Sequence, residues 1–371
     1  MHRSPEPPPS GGSIQFDDTN RALLREEGSS KIDEGVSSVK LEPPSRREAG
    51  GSAPTYWSPL PEGARGSGMF GARAPRTRGA RAPGTRAVWR EYLALTKPRV
   101  VALMLFTALA GMFLATHAAV PWRVLLFGTL GIALVAASAA TLNHLVDRRI
   151  DALMARTRAR PLPRGALSTL EVALFAAVLA AAGTALLLAT TNTLCTLLTL
   201  ASLLGYAGVY SLFLKHRTPQ NIVIGGAAGA APPLLGWVAV SGTLDAGALL
   251  LFLIIFIWTP PHFWPLAIHR RDDYARAAVP MLPVTHGIAH TADRVLAYAL
   301  ALWAVSLLPL ATGMAGALYA AAALPLGAGF VFYAWRLRGD SARWALPTFR
   351  YSIAYLAGLF AALLLDHQLL A

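Results

Sequence analysis

The run WRVLLFGTLGIALVAASAATLNH at residues 122–144, continued by LVDRRID at 145–151, decides how the chain is read. Its first 23 residues hold one charge, Arg123, and show no apolar/polar alternation. A helix long enough to cross about 30 Å of hydrocarbon is therefore predicted, and a strand is not. Eight further apolar stretches resemble it, near 100–118, 170–190, 193–213, 221–241, 246–267, 294–312, 316–335 and 350–369. The fold class that follows is all-α: a polytopic membrane protein of nine transmembrane helices.

The composition agrees. Charged residues make up 14% of the 371 and mean hydropathy is +0.45, whereas soluble domains average about 25% charged, which excludes a soluble enzyme. Residues 91–371 carry only 19 Lys/Arg and 10 Asp/Glu. Cys195 is the single cysteine, so a disulfide scaffold is excluded as well. The formal charge of +13 does not point to nucleic acid, because the cations sit in short loops between apolar runs. Basic residues follow the second span (Arg148, Arg149, Arg156, Arg158, Arg160, Arg164), the fourth (Lys215, Arg217), the sixth (Arg270, Arg271, Arg276) and the eighth (Arg336, Arg338, Arg343). The intervening loops hold only Arg123. This alternation predicts a cytoplasmic N-terminus and an external C-terminus, and an even number of spans would break it.

Residues 1–90 differ. They carry 14 Lys/Arg and 10 Asp/Glu, are rich in Pro, Gly and Ser, and lack an apolar period, so a disordered cytoplasmic tail is expected ahead of a 91–371 membrane domain. Its Arg-rich end, from Arg65 to Arg90, reads either as a polybasic segment on anionic headgroups or as a solvated tail. No signal-peptide h-region follows the start, and early acids such as Glu6, Asp17 and Asp18 argue against a mitochondrial transit peptide. A bacterial inner membrane is expected rather than the mitochondrial one.

Three polar constellations interrupt the apolar background. In the first, Asn143, Asp147 and Asp151 recur every four residues. That spacing turns a helix by about 400°, so the three oxygens form one stripe, suited to Mg²⁺ shared with substrate phosphate and water. The bland alternative is helix-end solvation, with both acids paired to neighbouring arginines. In the loop beyond, Arg156 and Arg160 share a face if helical and could fork onto a diphosphate, or they could simply set topology. The second constellation, Tyr210 to Asn221, brings Lys215 and Arg217 to a loop ended by Pro219, where they could neutralise a departing diphosphate. The small-residue run Ile224–Pro233 reads as helix packing first and cavity wall second. The third, Trp258 to Tyr274, contains Pro260, Pro261 and Pro265 and is expected to be a broken helix. His269 and Asp273 are four apart and could share a face, while His262 lies about two turns deeper.

At these motifs the chain resembles the haem-farnesylating branch of the intramembrane aromatic prenyltransferase superfamily. The stretches that carry the likeness are L-T-K-P-R-V at 95–100, the Asn143–Asp151 stripe with its trailing R-T-R-x-R-P-L-P-x-G, T-P-Q-N-I-V-I-G-G at 218–226, T-P-P-H-F-W at 259–264, Asp273-Tyr274 with P-M-L-P-V at 280–284, and F-R-Y-S-I at 349–353. The resemblance implies a central cavity with diphosphate at its cytoplasmic mouth. It also implies a reaction in which farnesyl diphosphate, haem b and water give haem O and diphosphate, for use by haem A synthase or terminal oxidases. It assigns Mg²⁺ to Asn143, Asp147 and Asp151, assisted by Lys215, Arg217, Arg156 and Arg160. Asn221 and Asp273 lie in its motifs, His269 just beyond one, and Tyr210, Phe263, Trp264 and Tyr274 offer aromatic faces to a farnesyl cation. His262, flanked by aromatics, reads first as a hydrogen-bonded interfacial residue; it could also meet a porphyrin propionate or the iron. Related enzymes carry a second D-x-x-x-D, where this chain has His269-x-x-x-Asp273. A quinone- or chlorophyll-prenylating relative and a haem transporter are the rival readings.

Overall fold

With no water in the bilayer core, a chain this apolar must satisfy its backbone within its own helices. The computed structural model describes residues 85–153 and 157–370, and every regular element among them is helical. The long helices are α1 (Thr85–Leu95), α2 (Pro98–Leu114), α3 (Thr129–Leu153), α4 (Thr169–Thr190), α5 (Thr193–Leu204), α6 (Asn221–Ser241), α7 (Ala246–His269), α8 (Gly287–Ser306), α9 (Ala317–Gly339) and α10 (Ser341–Leu370). A π-helical turn, Val124–Gly128, leads into α3, and a second π-helical segment, Gly205–Leu214, extends α5. Eight of these units are long and apolar enough to cross a membrane. A ninth is reached when α2, at 17 residues, is taken together with α1, from which it diverges by 47°, as one bent span at the start of the series.

Most of the helices pack on their sequence neighbours: α3 on α4, α6 on α7, α7 on α8, α8 on α9 and α9 on α10. Contacts of α2 with α6 and of α10 with both α7 and α2 close the ring. Inside lies one large core cluster built on Leu251, Ile254, Tyr319, Phe330, Tyr355 and Phe360. Exposed Leu170, Val178, Leu197 and Leu204 give α4 and α5 a lipid-facing side. At the end of the bundle away from the basic loops, the buried Asp366 of α10 accepts from the backbone N–H groups of Gly316 and Tyr319, at 3.1 Å from the latter. It thereby caps α9, which has no local side-chain cap.

The crossing of α2 and α6 depends on glycine. A Cβ on Gly111 would stand 2.0 Å from the Pro233 carbonyl oxygen, and one on Gly236 would stand 1.9 Å from that of Ala108. Backbone cannot yield as a side-chain tip can, so α2 and α6 would have to separate. Gly236→Ala is expected to cost about 1–3 kcal/mol through overpacking, read as a lower melting temperature in detergent. An unchanged melting curve would show that α2 and α6 are not in backbone contact at Gly236.

Two expectations change. The three prolines of α7 do not break it, and the helix runs unbroken for 24 residues through Pro260, Pro261 and Pro265. Each proline removes one backbone donor, but packing against α6, α8 and α10 holds the helix in place. Second, α1 crosses the boundary drawn at residue 90. Its Tyr92 and Leu95 pack with Leu167, Val172 and Phe175, and its Glu91 pairs with Arg164. Residues 1–84, which carry most of the expected tail, lie outside the described residues.

Candidate active site

The acidic stripe survives folding as a buried feature. Asn143, Asp147 and Asp151 are all nearly inaccessible, at 4%, 3% and 4% exposure, on the last turns of α3. Bare carboxylates there would be costly, and cations from three other segments offset the cost. Lys215 Nζ lies 2.5 Å from Asp147 Oδ2. Arg160 Nη1 straddles Asp151, 2.8 Å from Oδ1 and 2.7 Å from Oδ2. Lys97 Nζ donates to Asn143 Oδ1 at 2.6 Å, and the Asn143 amide donates to Asp147 Oδ2 at 2.9 Å and to Ser211 Oγ at 3.2 Å. Lys97, Asn143, Asp147 and Lys215, with Ser211 on Asn143, thus form one hydrogen-bonded chain between the start of α2, α3 and the π-helical segment, and Arg160 with Asp151 forms a separate pair beside it.

These groups line a cavity of about 820 Å³ at the basic end of the bundle. Five cations face it (Arg90, Lys97, Arg160, Arg164 and Lys215) against three carboxylates (Glu91, Asp147 and Asp151), so the wall favours an anion. Tyr206, Tyr210, Phe263 and Tyr274 add aromatic faces. Tyr206 and Tyr210 stack at 5.5 Å between centroids, and Gly225 makes room for the Tyr210 ring. Lys97, Val100 and Tyr206 also belong to a second, apolar chamber of about 460 Å³ between α2, α3, α5, α6, α7 and α10. A polar mouth thus opens beside a hydrocarbon-like room, matching a ligand with an anionic head and an apolar tail.

Among the described residues no three His, Cys, Asp or Glu side chains converge into a closed metal cage. The donor set still fits a divalent ion of the Mg²⁺ type, which needs only one or two carboxylates and takes its remaining oxygens from phosphate and water. Asp147 Oδ1 is buried and has no hydrogen-bond partner in the protein, which leaves one carboxylate oxygen available for that role.

Of the sequence candidates, Asn143, Asp147, Asp151, Arg160, Lys215, Tyr210 and Tyr274 meet at this cavity. Others go elsewhere. Arg217 is exposed, with its guanidinium 5.6 Å from the Phe213 ring centroid. In the short helix Lys215–Arg217 a spacing of two turns its side chain about 200° from Lys215. Asn221 is fully buried and donates to the Lys215 carbonyl at 3.2 Å, so it positions the cation rather than lining the cavity. Trp264 packs in the core, edge-on to Tyr298. The expected shared face of His269 and Asp273 is absent because α7 ends at His269 and a new helix begins at Arg271. His269 is exposed, and Asp273 pairs with Arg276 at 2.5 Å. His262 lines the apolar chamber instead of the polar one. Arg156 lies outside the described residues.

Four site residues went unassigned in the sequence: Lys97, His144, Tyr206 and Ser211. His144 was within reach of pattern reading, since it sits three before Asp147 and seven before Asp151 on the same helix face, with Nδ1 3.9 Å from Asp151 Oδ2. Lys97 lies in the L-T-K-P-R-V stretch that carries the resemblance, but no spacing relates it to the stripe. It occupies the break ahead of α2, in the left-handed region at φ 50, outside the spanning helices. Burial first, and then the nearby Arg160 charge, bring its ammonium down to about 8.

The profile of the UbiA prenyltransferase family matches residues 104–362. The chain is 65% identical over 286 residues to protoheme IX farnesyltransferase 1 of Pseudomonas putida strain GB-1, covering 77% of this chain and 96% of that protein. It is 64% identical over 285 residues to protoheme IX farnesyltransferase of Azotobacter vinelandii, covering 76% and 95%. Among solved structures, a digeranylgeranylglyceryl phosphate synthase matches with TM-score 0.66 at 18% identity, over 76% of this chain and 99% of that one. A UbiA homolog from Archaeoglobus fulgidus bound to DMAPP and Mg²⁺ matches with TM-score 0.54 at 19% identity, over 74% and 99%.

Proposed function

The chain belongs to the UbiA prenyltransferase family, and from that premise we propose that it transfers a farnesyl group from farnesyl diphosphate to a vinyl group of haem b, with addition of water, giving haem O and diphosphate. It is a membrane prenyltransferase. The observation that carries the assignment of roles is the buried Asn143–Asp147–Asp151 stripe, clamped by Lys97, Lys215 and Arg160 where the polar cavity meets the apolar chamber.

An allylic diphosphate leaves when the charge growing on it is neutralised. Lys215, Lys97 and Arg160 supply fixed positive charge at the mouth, already oriented by their carboxylate and amide partners. Asp147 and Asp151 would hold Mg²⁺, which supplies Lewis-acid stabilisation of the diphosphate oxygens when bound; the use of this ion by the chain is part of the proposal, supported by the Mg²⁺-bound relative of the same fold. The farnesyl chain leaves the polar mouth on its apolar side, where water is scarce and the allylic cation survives long enough to be attacked. Tyr206, Tyr210, Phe263 and Tyr274 face the polar cavity, Tyr206 at its junction with the apolar chamber, and each aromatic face contributes about 0.5–2 kcal/mol to a passing cation. Basic loops on the cavity side argue for a cytoplasmic mouth in a bacterial inner membrane, with haem O passing to haem A synthase or a terminal oxidase.

The direct test is incubation of the purified protein with haem b, farnesyl diphosphate and Mg²⁺, followed by mass analysis of the pigments. A hydroxyethylfarnesyl haem is the expected product, and a prenylated phenol with no haem O would transfer the chain to the quinone-prenylating rival.

Lys97 adds a pH dependence. Below about 8 its ammonium is charged and donates to Asn143; as pH rises through that value the charge is lost. The kcat/KM for farnesyl diphosphate, which reports free-enzyme groups, is expected to fall on the alkaline side of about 8. Lys97→Arg keeps its charge and should move the falling limb to higher pH. A profile flat across this region removes Lys97 from diphosphate binding.

A further inference from the structure

His262 sits at mid-depth in α7, about 10 Å along the helix from its basic end at His269. Its ring is stacked between Trp258, at 4.0 Å and 15°, and Phe349, at 4.8 Å and 30°. Both faces are therefore covered, and only the ring edge can meet a ligand in the apolar chamber that it lines. The tautomer follows from the neighbours. His262 Nδ1 is 2.7 Å from Ser352 Oγ, and Ser352 Oγ is 2.6 Å from the Phe349 carbonyl oxygen. A carbonyl cannot donate, so a contact this short requires the single serine hydrogen to point at Phe349. Ser352 can then only accept from the imidazole, which puts the proton on Nδ1. Trp258 Nε1 holds the same turn by donating to the Ser352 carbonyl at 2.9 Å.

Nε2 is left as a bare lone pair with no protein partner among the described residues. A lone pair repels a carboxylate and binds a metal. We propose that His262 Nε2 is the axial ligand of the haem iron when the porphyrin occupies the apolar chamber, an inference that rests on the haem-acceptor reading above. Ser352 does for His262 what outer partners do for metal-bound histidines generally: it fixes ring orientation and tautomer. The chamber suits a flat ring, since Ala136, Ala139, Ala140 and Gly229 face it with little bulk. Lys97 and Arg99 stand at its basic rim, where the two carboxylates of a protoporphyrin would lie. Ligation at depth and anchoring at the rim hold the ring in one register.

The test titrates the full chain in detergent with ferric haem b, without farnesyl diphosphate, and records the Soret band and then, after reduction with dithionite, the ferrous iron–histidine stretch by resonance Raman. Wild type is expected to show histidine ligation, His262→Ala to lose it, and added imidazole to restore it. Ser352→Ala is expected to weaken haem binding by about tenfold, as loss of an outer partner does. Metal-free protoporphyrin IX should bind wild type and His262→Ala equally, which reports that the variant is folded with an intact chamber. An unchanged iron spectrum in His262→Ala overturns the proposal, even if turnover is lost, because the residue then acts as a base or a packing element. Haem O formation by wild type in the same preparation separates this outcome from failure of the enzyme assignment, which no product at all would signal.

Discussion

Asp147→Asn lowers haem O formation by about 10²–10³-fold, the range found when one preorganised electrostatic contact is removed from a charged transition state. Two effects compete in this variant. Asp147 is buried and pairs with Lys215, and removing one member of a buried pair costs about 3–5 kcal/mol of stability when the other charge is stranded. Asparagine keeps an oxygen for Lys215 to donate to, so the folding cost falls well below that figure. What it cannot replace is the anionic character of Oδ1, the atom without a protein partner. Chemistry should therefore be lost before structure. The measurement is product yield by mass analysis alongside the melting temperature, with Mg²⁺ varied over a wide range; a raised Mg²⁺ requirement identifies Asp147 as a metal ligand. Turnover close to wild type at ordinary Mg²⁺ would reduce Asp147 to a structural counter-ion of Lys215.

Lys215→Met is expected to cost about 10² in kcat/KM for farnesyl diphosphate, again the magnitude of a single electrostatic stabiliser. The loss is expected in kcat more than in KM, because the charge on the leaving diphosphate grows in the transition state and Lys215 meets it there. An opposing effect exists: without Lys215, Asp147 is freer to bind a divalent ion, which strengthens metal affinity. The transition-state loss dominates, since the ammonium is held 2.5 Å from Asp147 at the cavity wall while its backbone carbonyl is tied to Asn221. Arg217→Ala, two residues on but exposed over Phe213, should have a far smaller effect. Equal effects at the two positions would mean that general loop charge, rather than a placed ammonium, supports the reaction.

The helices were legible because burial in lipid leaves a local signature. The runs at 170–190, 193–213, 221–241 and 246–267 coincide closely with α4, α5 with its π-helical extension, α6 and α7. The stripe was legible for the same reason, since a spacing of four within one helix is a local geometric fact. His269 and Asp273 show where that logic stops, for the spacing says nothing about whether the helix continues, and here it ends between them. The prolines of α7 erred in the opposite direction, because tertiary packing held a helix that local chemistry argued against.

The amino-acid sequence by itself determined the all-helical membrane class, the position of most of the spans, the shared face of Asn143, Asp147 and Asp151, and the family resemblance that named the reaction. Tertiary structure alone decided which cations meet those acids. Lys97 arrives from 46 residues away and Lys215 from 68 residues away, separations for which sequence spacing carries no information about contact. It also decided that Arg217 turns away, that Trp264 is core, and that the hydrogen of Ser352 leaves His262 with a free Nε2. The physical reason is common to all of these. Periodicity reports which way one helix faces, whereas a charge or a tautomer is set by whatever other helices bring against it.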